Sequence, residues 1–498
     1  MKQHILFVHP GNHKKNYQDL AKEFTAVATP AWTLLIASYL RLHQIPVAFY
    51  DSNVKGWDAS VASELIKEFS PVLVVMLVYG HNPSASTQTM PAARKIASDF
   101  KKTAPYIPIA FGGTHPSALP ERTLNEEPID FVIQGEGVYT LKDLAQSLLN
   151  NGLLNGIGGL WYRENGLNIF GGTPRLVRDL DMELPGYAWD LLPSISDYRA
   201  HNMHCFQDFE NSLKVDFSDV RTPYVAMNTS LGCPFSCHYC CINALFGKPG
   251  IRYWSVDTVL SWIDELVIKY GVRNIRFDDE LFLLSSQRVE EFCVKLAQRG
   301  YNLNLWVYGR VDTIKTDLLE KMRKAGITWI CLGIESGNAY VLENVNKKNS
   351  KDIASVVTSI QSHGMYVLGN YMFGLPEDTL ETMKETMDLA VELNTEFANF
   401  YCVMAYPGST LYDNAIDKYL PLPDGWDGFS QHGYVTKPLP TNHISAREVL
   451  KFRDNAFNTY HSSPKYLKMM QIRFGNRVVE HLERMLSVKV RRKLLEDN

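Results

Sequence analysis

Short apolar runs punctuated by glycine and proline alternate with amphipathic stretches along most of the chain. HILFVHP, His4 to Pro10, is a β-branched and aromatic run ended by Pro-Gly. TPAWTLLIASYLRLH has helical spacing, PVAFYDSN predicts the next strand and VASELIKEF the next helix. PVLVVMLVYG is apolar throughout, the pattern of a strand covered on both faces. SASTQTMPAARKIASDFKK predicts a helix interrupted by proline, IPIAFGGTHPS and DFVIQGEG two further strands, and VYTLKDLAQSLLN a closing helix. Strands alternating with helices predict an α/β fold with a doubly wound, Rossmann-like parallel sheet. Ligands on such sheets bind beyond the carboxyl ends of the strands. That edge carries Pro10, Asp51, Tyr79, Gly80, Gly112, Gly113, Thr114, Gly135 and Glu136.

The pattern changes near Gly152. GIGGLWYRENGLNIFGG predicts a hairpin around Glu164-Asn165-Gly166, and LPGYAWDLLPSISDYR reads as a proline-punctuated connector. A second series opens at YVAMNTSLG and continues through NIRFDDE, NLNLWVYGR, WICLGIES, MYVLGNYMFGL and FANFYCVMAY, with helical segments between. Six β/α units predict a full or partial parallel barrel, whose chemistry sits at the carboxyl ends of the strands. The expected division is residues 1–185 for the sheet domain with its hairpin, 186–220 for a linker, 221–415 for the barrel and 416–498 for a mainly helical C-terminal region. In that last region Ser445 to Glu448 forms a capping-box pattern. The aromatic segment YLPLPDGWDGFSQHGYV is expected along one side of the barrel mouth, and the basic run Lys489–Lys493 on a solvated helix face.

With 498 residues, 45% hydrophobic and 21% charged, the chain is long enough for two or three ordinary domains. A net charge of −4 gives no basic excess for nucleic acid. The opening MKQHILFVHP lacks a cleavable signal pattern, and no window approaches the roughly 20 apolar residues of a membrane span. The expectation is a cytoplasmic protein, where clustered cysteines point to metal or redox chemistry before disulfides.

Four of the eight cysteines fall within TSLGCPFSCHYCC. Cys233, Cys237 and Cys240 are spaced C-x3-C-x2-C, close enough to wrap three thiolates round one inorganic centre. Structural zinc wants four closed ligands, with Cys241 or His238 as the fourth. Three thiolates on a four-iron cluster leave one iron open. The residues alone leave zinc and iron–sulfur both standing. Of the scattered cysteines, Cys293, Cys331 and Cys402 read as small buried hydrophobes, and Cys205 lies in an irregular stretch close to the cluster in sequence.

The spacing, Pro234 after the first cysteine, Tyr239 before the third, and the position after the first barrel strand together resemble the radical S-adenosylmethionine (SAM) superfamily. That resemblance implies a [4Fe–4S] cluster on Cys233, Cys237 and Cys240, with SAM on the open iron and Cys241 a bystander. It implies SAM contacts from Tyr239, from Asp278 and Asp279 beside the methionyl amine, from Arg310 toward the carboxylate, and from Glu335 and Ser336 toward the ribose or amine; Glu280 is discounted. FGGTHPSALPE, VIQGEGVYTLKDL and the LPGYAWDLLP connector are similar to the cobalamin-binding branch of that superfamily, the subgroup of the anaerobic magnesium-protoporphyrin ester cyclase and many C-methyltransferases. The strand-end residues of the first domain would then hold cobalamin, with Gly112, Gly113 and Thr114 letting its tail approach the backbone. The D-x-H-x-x-G pattern of some cobalamin domains is missing, so no cobalt-ligating histidine is expected there; His13 and His115 are loop neighbours.

The function so implied is a radical C-methyltransferase: SAM is cleaved to a 5′-deoxyadenosyl radical, an unactivated carbon loses hydrogen, methylcobalamin supplies the methyl group and a second SAM restores it. The electron would come from a flavodoxin or ferredoxin. A cobalamin-dependent cyclase or rearrangement enzyme and a non-catalytic zinc or cobalamin sensor are the rival expectations. The substrate is not legible.

Overall fold

The computed structural model describes residues 3–11, 13–79, 85–209, 217–348 and 351–496. Gly80 and the His13 side chain lie outside the described residues. The first domain is a seven-stranded sheet: β1 (His4–His9), β2 (Val47–Asp51), β3 (Pro71–Val78), β4 (Ile109–Gly113), β5 (Phe131–Ile133), β6 (Leu160–Glu164) and β7 (Leu167–Phe170). Its order is β2-β1-β3-β4-β5-β6-β7, parallel as far as β5 and antiparallel from β5 to β7. The reversal of order about β1 and β3 opens a crevice at their carboxyl ends. β6 and β7 are the predicted hairpin; Glu164 faces Leu167, and Asn165 and Gly166 take the positive φ that a two-residue turn demands. The proline-interrupted helix proves continuous, running Ser86–Thr103 through Pro91.

The second domain has the predicted six parallel strands, β8 (Tyr224–Met227), β11 (Asn274–Phe277), β12 (Asn304–Arg310), β13 (Ile327–Glu335), β14 (Tyr366–Phe373) and β15 (Phe397–Cys402), in chain order across the sheet. A small antiparallel ribbon, β9 (Ser230–Leu231) with β10 (Arg252–Tyr253), brackets the cysteine loop and was not predicted. Ser255, Ser285, Asp352 and Thr379 each accept a backbone N–H at the start of the helix that follows, so four of the five returns are capped by a side chain; the helix Leu319–Lys324 between β12 and β13 is not.

β8 and β15 do not pair, so this half-barrel has two edges, and both are capped by side chains. On β8, the Thr29 hydroxyl donates to Ala226 O (2.7 Å) and accepts from Ala226 N (3.0 Å), and Tyr187 does the same for Asn228 (2.9 and 2.8 Å). On β15, Gln431 accepts from Cys402 N (3.0 Å) and donates to Cys402 O (2.9 Å), while Arg453 Nε donates to Phe400 O (2.7 Å). The edge groups that would otherwise template another strand are thereby satisfied. Thr29 comes from the first domain, Tyr187 from the connector, and Gln431 and Arg453 from the C-terminal region. One continuous apolar core accordingly joins one face of the first sheet, the barrel and the C-terminal helices. The other face of the first sheet packs separately.

Residues 186–209 and 217–220 wind beneath the barrel in short turns. His204 and Asn304 exchange hydrogen bonds there (3.0 and 2.7 Å). Cys205 is buried against Asn274 Oδ1 at the amino ends of the strands, the end opposite the cysteine loop, so its nearness to the cluster in sequence is not nearness in space.

Candidate functional site

The loop from β8 carries Cys233, Cys237 and Cys240 at the carboxyl end of the half-barrel. All three are partly exposed and none of the eight cysteines is in a disulfide. The loop is pinned by Gly250 N to Cys233 O (2.9 Å), Cys240 N to Cys237 O (3.0 Å) and His238 N to Val345 O (3.0 Å). Gly232 has φ +90, and a Cβ there would meet Gly250 O at 2.4 Å, so glycine is required where the ribbon closes. Cys241 is buried, and His238 Nδ1 donates to Asn344 O (3.1 Å). Neither completes a four-donor zinc site with the three exposed thiols. No three His, Cys, Asp or Glu side chains among the described residues gather as they would about one metal ion. Without metal, burial pushes the Cys233 thiol up to about 11 and the Cys240 thiol well above its ordinary value.

The acidic triplet after β11 divides by role. Asp279 is buried; its oxygens accept from Thr229 N (2.5 Å), Thr229 Oγ1 (2.6 Å) and Ser230 Oγ (2.7 Å), fixing the strand end that launches the cysteine loop. Asp278 accepts from the buried Arg276 Nε (2.6 Å). Glu280 makes no hydrogen bond or ion pair with the described residues. Burial first, then Asp278 and Asp279, pushes its carboxyl up to about 8, and it lies close enough to Cys233, Cys240 and Tyr79 to raise their pKa values. The discounted member of the triplet is thus the one with unspent hydrogen-bonding capacity.

Glu335 ends β13 at a register shift with φ +66, a strained conformation for a non-glycine residue. Its Oε1 accepts from Lys347 Nζ (2.7 Å) and the Tyr239 hydroxyl (3.4 Å), so the structure brings these two predicted residues together. Arg310 is held by Asp312 (2.9 and 3.1 Å) and Lys348 O (2.9 Å), stacks over Phe235 and points Nη1 at Cys237 Sγ (3.9 Å). Ser336 turns away; its hydroxyl bonds Thr386 Oγ1 (3.1 Å) and accepts from Asn338 N (3.1 Å), stabilising the turn.

The strand ends of the first sheet face the loop beyond the cysteines. Helix Thr114–Ala118 packs against helix Asn243–Phe246, and Ala118 and Ala244 leave no room for a side chain at Gly408. Tyr79 reaches from the end of β3 to the neighbourhood of Glu280, Asp278 and Cys241. Gly113 has φ +108, and a Cβ would strike Val78 O at 2.3 Å. Pro10, at the end of β1, and Thr114 are buried. Two of the predicted residues are spent on structure. Asp51 caps its helix through Asn53 N (2.8 Å) and accepts from the buried Tyr198 hydroxyl (2.8 Å). Glu136 accepts from Val177 N (2.8 Å) and from Arg252 of β10, bracing sheet to barrel. Gly135, φ +84, packs on Pro174. His115 is buried under Trp426, ring centroids 4.5 Å apart.

A cavity of about 340 Å³ runs through the half-barrel. Tyr239 and Glu335 line one end; Arg276, Tyr308, Asn370 and Asn399 line the middle; Gln431, His432 and Arg453 of the C-terminal region line the flank beside β15. Of the segment expected along the mouth, Gln431 and His432 line the cavity while its aromatic residues Tyr419, Trp426, Phe429 and Tyr434 do not, and the polar lining residues carry no sequence signature.

Residues 227–390 match the Radical SAM superfamily and residues 17–145 the B12 binding domain. An uncharacterized methyltransferase of Pyrococcus horikoshii is 29% identical over 441 residues, covering 88% of this chain and 89% of the relative. The anaerobic magnesium-protoporphyrin IX monomethyl ester cyclase of Rubrivivax gelatinosus is 25% identical over 458 residues, covering 90% and 75%. The radical SAM methyltransferase TsrM of Kitasatospora setae, solved with tryptophan and a SAM analogue, shares the fold with a TM-score of 0.69 over 97% of this chain and 99% of that one, at 15% identity.

Proposed function

Because this chain belongs to the cobalamin-binding radical SAM enzymes, we propose that it methylates an unactivated carbon of a small substrate held in the barrel cavity. The observation that carries this reading is the juxtaposition of three partly exposed thiols, on one loop of the barrel, with the strand-end face of a B12-binding sheet. When bound, the cluster, SAM and cobalamin supply the radical and methyl-transfer chemistry. The chain's own work is to bind, orient and keep water out.

Cys233, Cys237 and Cys240 hold the cluster, and Arg310 places a cation beside the Cys237 sulfur. Glu280, with no competing partner among the described residues, suits the methionyl ammonium better than Asp278 or Asp279, whose oxygens are already engaged. Tyr239 and Glu335 face the cavity and position the remainder of SAM. Pro10, Tyr79, Gly112, Gly113 and Thr114 border the cobalamin crevice, where backbone can approach the corrin closely. A flavodoxin or ferredoxin delivers the electron at the exposed cysteine loop. No helix among the described residues is long and apolar enough to cross a membrane, and we place the enzyme in the cytoplasm.

Anaerobic reconstitution with SAM, cobalamin and a reductant tests the reading. S-adenosylhomocysteine forming alongside 5′-deoxyadenosine supports methyl transfer. 5′-Deoxyadenosine alone would move the assignment to a cyclase or rearrangement enzyme, the chemistry named for the Rubrivivax relative. Zinc without iron in the purified protein would leave a sensor.

A further inference from the structure

The flank of the cavity beside β15 carries a buried charge imbalance. Arg453 is 5% exposed and lines the cavity. Its Nε donates to Phe400 O (2.7 Å), Nη1 to Asp454 Oδ1 (2.8 Å) and Nη2 to His432 Nε2 (2.9 Å). A guanidinium has five N–H donors, so these bonds leave two uncommitted. Arg492, 3% exposed, takes the same Asp454 carboxylate at 2.9 Å through both Nε and Nη2. No other carboxylate among the described residues lies within ion-pair distance of either guanidinium. His432 brings no negative charge; burial and the two arginines keep it neutral and make it an acceptor. The other charges at the cavity are matched, Arg276 with Asp278 (2.6 Å) and Glu335 with Lys347 (2.7 Å).

Two guanidiniums sharing one carboxylate leave one positive charge on side chains that are almost wholly buried. Burying such a charge is costly unless an anion joins it. The surrounding wall is apolar and aromatic: Trp306, Leu368, Phe397, Phe400 and Phe457. We propose that the substrate is a monoanion with an aromatic or similarly apolar body, its carboxylate held by Arg453. A phosphate monoester, at about −1.5 to −2, overshoots the residual charge, whereas a planar carboxylate matches it and the fork of donors. Arg453 approaches β15, and Glu335 ends β13. Two strand spacings, about 10 Å, separate the anchor from the Tyr239–Glu335 end, which leaves room for the apolar body to present a carbon there. This inference rests on reading the cavity as the reaction chamber.

The test is equilibrium binding to the anaerobically reconstituted holoenzyme, which needs no turnover. Indole-3-acetate, indole-3-acetamide and phenyl phosphate serve as probes. The acetate is expected to bind at least about tenfold more tightly than either of the others, as one charge-assisted hydrogen-bond pair would give. Arg453→Gln should remove that preference and Arg453→Lys retain part of it. Leu368→Trp, which fills the cavity, should release all probes. Because Arg453 also supports β15, the unmodified protein's preference stands as an independent readout should the Gln variant fail to fold. Equal affinity for acetate and acetamide, tighter binding of phenyl phosphate, or no binding of any probe overturns the proposal, as does a preference that survives in folded Arg453→Gln protein. Failure here leaves the S-adenosylhomocysteine assay untouched, and failure of that assay leaves the anion pocket standing.

Discussion

The hydroxyl of Tyr239 stands 3.4 Å from Glu335 Oε1, tying the cysteine loop to the end of β13. The same carboxylate oxygen receives Lys347 Nζ at 2.7 Å, and Lys347 is 3% exposed. Glu335→Gln would leave that ammonium with Gly333 O (2.9 Å) but without a counter-charge. The expected cost is about 3 kcal/mol of stability, read as a shift in the urea midpoint, with weaker SAM binding by equilibrium dialysis and iron content unchanged. Wild-type stability in the variant would mean that Lys347 finds another anion.

Asp279 is expected to act on the cluster through geometry alone. Asp279→Ala removes three acceptor contacts to Thr229 and Ser230, which at roughly 1 kcal/mol each amounts to about 3 kcal/mol. The variant should unfold at lower denaturant and incorporate less iron on reconstitution. Full iron loading with lowered stability would show that the Thr229–Ser230 anchor does not control the cysteines.

The adjacent cysteines should separate cleanly. Cys237→Ala is expected to lose the iron–sulfur absorption and 5′-deoxyadenosine production while keeping its far-ultraviolet dichroism. Cys241→Ala, which truncates a buried side chain, should cost about 1 kcal/mol and keep its iron. The reverse pattern would overturn the ligand assignment.

Burial lowers six histidines: His115, His204 and His481 to about 3, His461 to about 4, and His9 and His432 in the same direction. Each is neutral in the folded protein and protonates near pH 6.5 when unfolded. The unfolded state therefore binds more protons as pH falls below 6.5. The stability these residues contribute is complete above pH 6.5 and is lost progressively toward pH 3–4. The urea midpoint should fall steadily from pH 6.5 to 5, and His115→Gln should lessen the slope by about 1.4 kcal/mol per pH unit. A flat profile over that range would show that these rings are not buried as described.

The strands were legible because fully apolar runs such as Val72–Val78 admit few alternatives when covered on both sides. The place of the cysteine loop was legible because it follows the first strand of the second series, at the edge where barrel chemistry sits, whereas the thiol spacing alone left zinc and iron–sulfur both standing. Strand-end polar residues were harder. Asp51, Glu136, Asp279 and Ser336 occupy positions where a ligand contact and a backbone cap demand the same oxygen, and the structure gives those oxygens to Asn53, Val177, Thr229 and Asn338. Glu280 looked expendable because sequence cannot reveal which of three consecutive carboxylates lacks a partner. Gln431 and Arg453 meet β15 from about thirty and fifty residues away, and no local pattern announces such a meeting.

The hydroxyl and amide plugs on the half-barrel bear on how the molecule is inherited and engineered. Thr29 lies two hundred residues before the strand it seals, so the B12 sheet cannot be excised without exposing a raw edge that recruits other chains. Neither half is a transplantable cassette. Chimaeras cut between the domains should precipitate unless the donor sheet brings its own threonine, whereas exchanges that keep Met1 to Met227 as one block should stay in solution.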